Sequence, residues 1–125
     1  MKTALIAGVF ALFSSAANAD LLSRWEVAEE ATMQRLFDLY GNSAAFQPWT
    51  PDIRNGKACL LEAMLREFGT GKVEGFVAHK EATAARRMSY SDPLELTSES
   101  MRATTANRIW FEEIAPLAQA CGSGF

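Results

Sequence analysis

Cys59, Cys121, His79 and two adjacent glutamate pairs, Glu29-Glu30 and Glu112-Glu113, are the first side chains here from which covalent, metal or acid–base chemistry could be built. The cysteines are not spaced for redox work, since no C-x-x-C exists to depress a thiol pKa. They suit one disulfide, closing a loop of about 60 residues. A single histidine cannot complete a zinc site once both thiols are paired. No metal and no cofactor are therefore expected. His79 has no nucleophile or orienting partner that the sequence can place beside it, and reads as structural. Gly69-Thr70-Gly71-Lys72 imitates a phosphate loop only superficially. Arg66 stands where the first P-loop glycine belongs, and Val73 where Ser or Thr must follow the lysine. No catalytic residue is assigned, and the chain is not read as an enzyme.

The carboxylate doublets are not automatic acid–base pairs, because neighbouring helical residues diverge by about 100°. Glu29 is the unusual member, projecting into an apolar arc between Trp25 and Leu36. Lys57, Lys80 and Arg87 likewise intrude on apolar faces. Two readings follow: long stems snorkelling to water at the core's rim, or a partly buried ion pair joining the first helix to the second or third. Phe46, Pro48 and Trp49 put aromatic rings in a connection, as a lid over a small core or as interface anchors. Trp25, Trp49, Phe76 and Trp110 are the rings that would line a pocket between helices. With Phe46, Glu29 and Arg87 they form the set of possible ligand or interface residues.

Those side chains must be positioned by helices, because no stretch alternates with the period of a strand. A first helix is expected from Asp20, as N-cap, to Tyr40, burying Leu21, Trp25, Ala28, Leu36, Leu39 and Tyr40, with Met33 and Phe37 beside them. Arg24 falls on the solvated side. Thr50, Pro51 and Asp52 start a second helix. It should run to Phe68 and bury Ile53, Leu60, Leu61, Met64, Leu65 and Phe68. Cys59 lies opposite that arc, so the disulfide should pin the C-terminal tail across the back of this helix. A third helix spans about Lys72 to Met88, weakened by Gly75. A fourth begins between Asp92 and Ser98 and runs to about Ala115, with Pro116 ending or kinking it. Its apolar side gathers Ala103, Ala106, Trp110, Phe111, Ile114 and Leu117. Met33, Met64, Met88 and Met101 read as core fillers. The expected fold is all-α: a small four-helix bundle or orthogonal helical array stapled by one disulfide. Residues 20–121 form the single domain, and 122–125 a flexible tail.

Composition narrows the function classes. The chain is 49% hydrophobic and 22% charged, with net charge −3. That balance suits one globular domain and lacks the basic footprint that nucleic acid requires. Met1-Lys2, the apolar run Ala4 to Phe13 and the Ala17-Asn18-Ala19 motif read as a signal peptide over residues 1–19, cleaved after Ala19. The apolar run is too short to span a bilayer, so no membrane anchor is expected after cleavage. The expectation is a periplasmic or secreted helical protein that is a non-enzymatic interaction or accessory protein with a protein partner in the periplasm. The alternative is a binder of a small apolar ligand between helices, and a small hydrolase using Glu29 or His79 stands third.

Overall fold

A computed structural model describes the backbone from Lys2 to Phe125 and the side chains from Ala17 onward. Five helices follow one another: α1 (Lys2–Leu39), α2 (Pro51–Phe68), α3 (Thr70–Ala85), α4 (Pro93–Thr105) and α5 (Phe111–Cys121). There is no strand among the described residues. The all-α class and the Cys59–Cys121 disulfide agree with the sequence. The helix count does not, for reasons given below. Helix α3 packs against α1, α2 and α4, while α5 lies along α2.

The starts of α2 and α4 are dictated locally. Thr50 Oγ1 accepts the Ile53 N–H at 3.2 Å, with Pro51 in the first turn. Asp92 Oδ1 accepts the Leu94 N–H at 2.9 Å, and Pro93 follows. Each satisfies amides that the helix cannot pair itself. One residue, Gly69, both ends α2 and begins α3; its φ of 85° is a left-handed conformation that favours glycine.

Helix α1 does not start at Asp20. It passes through that residue, because Ala17-Asn18-Ala19 holds no glycine or proline to stop it. The signal-peptide reading rests mostly on residues 1–16, whose side chains lie outside the described residues. Arg24 is only partly solvated, because it is also paired. It reaches across to α3 and donates to Glu81 at 2.7 Å and Glu74 at 3.1 Å. Its hydrogen bond holds the Glu81 carboxyl below its ordinary value. A carboxylate with a depressed folded pKa stabilises the fold above the unfolded value of 4.5, and that contribution is lost as pH falls through the folded one. Urea midpoints measured between about pH 6 and pH 3 should therefore fall with acid, and more shallowly in Glu81→Gln.

The expected fourth helix is two. After Thr105 the chain turns, with Arg108 at a left-handed φ of 57°, and Ile109 N–H returning to the Thr104 carbonyl at 3.0 Å. Asn107 Nδ2 donates to the Ala103 carbonyl at 2.8 Å, occupying an acceptor at the end of α4. Trp110 N–H then donates to Glu113 Oε1 at 3.3 Å to open α5. Pro116 neither ends nor delivers a tail; it sits inside α5. The carbonyl it leaves unpaired belongs to Glu112, an exposed residue of the first turn. Cys121 is thus the last residue of a helix, so the disulfide joins α5, not a loose tail, to α2.

Trp25, Phe76, Leu60, Leu61, Met64, Val73, Val77, Ile109 and Ile114 make the core. Several residues assigned to it from the sequence are outside. Tyr40, Ile53, Met33, Met88 and Met101 are exposed, as are Trp110 and Phe111, and among the methionines expected as fillers only Met64 is buried. The new turn before α5 re-aims Trp110 and Phe111 and buries Ile109 in their place.

Gly75 has a positive reason to be glycine. A Cβ there would stand 1.9 Å from Asn107 Oδ1 and 2.8 Å from its Cγ. Gly75→Ala should displace Asn107 and its hydrogen bond, costing about 1 kcal/mol after the gain in helix propensity. In an Asn107→Ala background the same substitution should become stabilising by about 0.5–1 kcal/mol. Denaturant midpoints of the four proteins in this cycle would show whether the sign inverts.

Candidate functional site

The ring cluster is built from three elements. Trp25 of α1 is fully buried, and meets Trp49 of the α1–α2 connection edge-on at 5.7 Å and Phe76 of α3 at 5.2 Å. Its Nε1–H donates to Glu29 Oε2 at 3.1 Å, one helical turn on. The same oxygen takes Lys80 Nζ of α3 at 3.3 Å, and Lys80 donates to Ser100 Oγ of α4 at 3.0 Å. Lys80 is only 3% exposed. Of the two readings of Glu29, the geometry is that of an ion pair joining α1 to α3. Lys80 therefore does not snorkel; its ammonium stays among α1, α3 and α4.

Lys57 of α2 is the second cation at this cluster. Its Nζ lies 5.0 Å from the Trp25 ring centroid and 5.6 Å from that of Trp49, and donates to the Gly124 carbonyl at 2.7 Å. Burial pushes its pKa below the ordinary lysine value; the Glu29 charge opposes that and the Lys80 charge adds to it. Among the described residues no carboxylate comes within 4.0 Å of Lys57, although Glu29, Arg24 and Arg54 all have ion-pair partners. Glu30 fixes the connection from the other side, its Oε2 accepting Trp49 N–H at 3.0 Å. Phe46 rests on Phe37 with ring centroids 6.2 Å apart. Together they border an open cleft of about 240 Å³, walled by Glu29, Glu30, Phe37, Phe46, Trp49 and Lys57.

No family model, curated protein or solved structure matches this chain. Its own side chains are the basis for any functional reading.

Of the residues singled out from the sequence, Trp25, Glu29, Trp49 and Phe76 come together, and Phe46 joins them at the cleft. Trp25 and Phe76, however, are sealed in the core and reach no ligand. Arg87 and Trp110 do not belong to this place. Arg87 donates to the Ala84 carbonyl at 2.9 Å beside a separate groove between α1 and α3. Trp110 stands half-exposed at the start of α5, without ring contact to the cluster. His79 Nε2 lies 2.9 Å from the Glu99 carbonyl oxygen and 3.3 Å from Glu99 Oε1, tying α3 to α4.

Sequence reasoning missed a second surface. Leu94 and Met101 of α4 are 70% and 63% exposed, and Phe111 of α5 is 69% exposed. With Phe125 they line a groove of about 440 Å³. Phe125 packs 6.2 Å from Phe111 and contributes to one wall of this groove. The spacing of Leu94 and Met101, two turns apart on one face, was a legible signal. Phe111 was not, because only the turn before α5 brings it to this side.

Proposed function

We propose that the chain is an exported helical protein that acts by binding a protein partner rather than by catalysis, and that its contact face is the α4–α5 groove. The export assignment rests on the signal-peptide pattern of residues 1–19 and agrees with the disulfide. No described helix is long and apolar enough to cross a membrane. The observation that carries the reading is the gathering of three large, mostly exposed apolar side chains, Leu94, Met101 and Phe111, on one groove. Single exposed apolar residues are ordinary, whereas a contiguous group marks a contact surface. An apolar stretch of the partner, presented on a helix, fits such a groove.

A photo-crosslinking residue at position 101 in the exported protein tests this, with position 82 on exposed α3 surface as control. A discrete protein adduct at 101, absent at 82 and lost in Phe111→Asp, is the expected result. Equal labelling at both positions, or none at 101, would reject the α4–α5 face. The alternative, binding of a small molecule, is favoured by a different observation, the cleft beside Lys57.

A further inference from the structure

We infer that the cleft between α1, α2 and the Phe46–Trp49 connection is a site for a small apolar zwitterion, a molecule carrying a carboxylate and an ammonium beside an apolar group, as apolar α-amino acids do. This goes beyond the protein-binding reading and does not depend on the α4–α5 face.

Charge is the first argument. Lys57 has one hydrogen bond, to Gly124, and two indole faces, but no ionic partner within 4.0 Å among the described residues. An ammonium has three donors and is costly to withdraw from water without an anion. A ligand carboxylate would supply one. Glu30 has the opposite deficit. One of its oxygens accepts Trp49 N–H, and no cation lies within 4.0 Å of it among the described residues. Glu29 borders the same cleft but is already paired with Lys80. A lone anion would meet Lys57 but also the Glu30 charge, and a lone cation would meet the reverse. Only a ligand bearing both signs answers both groups.

Shape is the second argument. At about 240 Å³ the cleft is smaller than sites for drug-sized ligands, and apart from Gln47 its remaining wall is apolar, made by Met33, Phe37, Phe46, Trp49 and Ile53. Such a wall suits one small aromatic or branched apolar group. The faces of Phe46 and Trp49 also lie on the connection that Glu30 holds, so binding should tighten a loop already in place.

The test is calorimetric titration of the disulfide-intact protein with L-phenylalanine and L-leucine, run beside 3-phenylpropionate and 2-phenylethylamine, which each keep one charge. Saturable binding of an amino acid at about millimolar Kd or tighter is expected, with both single-charge analogues at least about 10-fold weaker. Glu30→Gln, which keeps an acceptor for Trp49 N–H, should weaken the amino acid about 10-fold without weakening phenylpropionate. Lys57→Gln should weaken both acids and spare phenylethylamine. Circular dichroism confirms that each variant is folded. Phenylpropionate binding as tightly as phenylalanine would make this a plain anion site and overturn the proposal. Equal binding of phenylethylamine would overturn it in the other direction, and so would no saturation by either amino acid. None of these results bears on crosslinking at position 101, so the two readings fail separately.

Discussion

Replacing Cys59 and Cys121 together by serine should lower stability by about 4 kcal/mol, the loop-closure value for a bond of this span. The two residues are 62 apart in sequence, with Cα atoms 5.6 Å apart. Most of the effect lies in the unfolded chain, which the bond prevents from separating α2 from α5. Domains of this kind have a total stability of only about 5–15 kcal/mol, so the loss is a large part of the whole. Serine itself adds little strain, because Cys59 is exposed and Cys121 only half-buried. Urea unfolding of the oxidised protein and the double-serine variant is the measurement. A lower midpoint and a steeper denaturant slope are expected, because an uncrosslinked unfolded chain exposes more surface. A midpoint change equivalent to under about 1 kcal/mol would mean that α5 holds to α2 by packing alone.

Glu29→Gln should be nearly as damaging, at about 3 kcal/mol. Glutamine preserves an acceptor for Trp25 Nε1–H but leaves the Lys80 ammonium without its counter-charge. Lys80 is buried, and its other partner is the neutral Ser100 hydroxyl. The asymmetry between breaking a buried pair and removing it whole gives the decisive control. Glu29→Gln combined with Lys80→Met should recover most of the loss, since neither charge then remains buried and unpaired. Thermal unfolding of the two single variants and the double variant reads this directly. An unchanged midpoint in Glu29→Gln would show that Lys80 finds water. The coupling would then be absent.

The helical starts show how far local chemistry reaches. Thr50-Pro51-Asp52 specifies α2 through a cap and a fixed proline φ, and that start is found where the residues say, while α4 begins at the early edge of the Asp92–Ser98 window that the sequence left open. The break after Thr105 was not legible in that way. No glycine or proline marks it, and Arg108 adopts a left-handed conformation that its own side chain does not favour. The turn is held by its own Asn107 against Gly75 of α3, well before it in the chain. Gly75 looked like a weakness of α3 because its counterpart lies far along the chain. Arg24 misled for a related reason: periodicity places it away from the core face, while α3 brings Glu74 and Glu81 to it.

The candidate sites divide along the same line. Trp25, Glu29, Trp49 and Phe76 could be singled out because unlike residues stood on apolar faces or rings stood in a connection. Their grouping needed α1 and α3 to pack. Arg87 and Trp110 shared those local features and lie elsewhere. Lys57 was noticed only as an intrusive charge. Its lack of an ionic partner among the described residues depends on where α2, Trp49 and Gly124 meet.

The sequence by itself determined the helical class and the cap that begins α2, which follow from residue type and short-range spacing, and the pairing of the two cysteines, for which the chain offers one possible pair. Only the tertiary structure decided that α4 and α5 are separate, that Glu29 serves Lys80, and which apolar side chains remain outside. Those outcomes depend on contacts between residues distant in the chain, and burial is a property of the packed assembly rather than of any one helix.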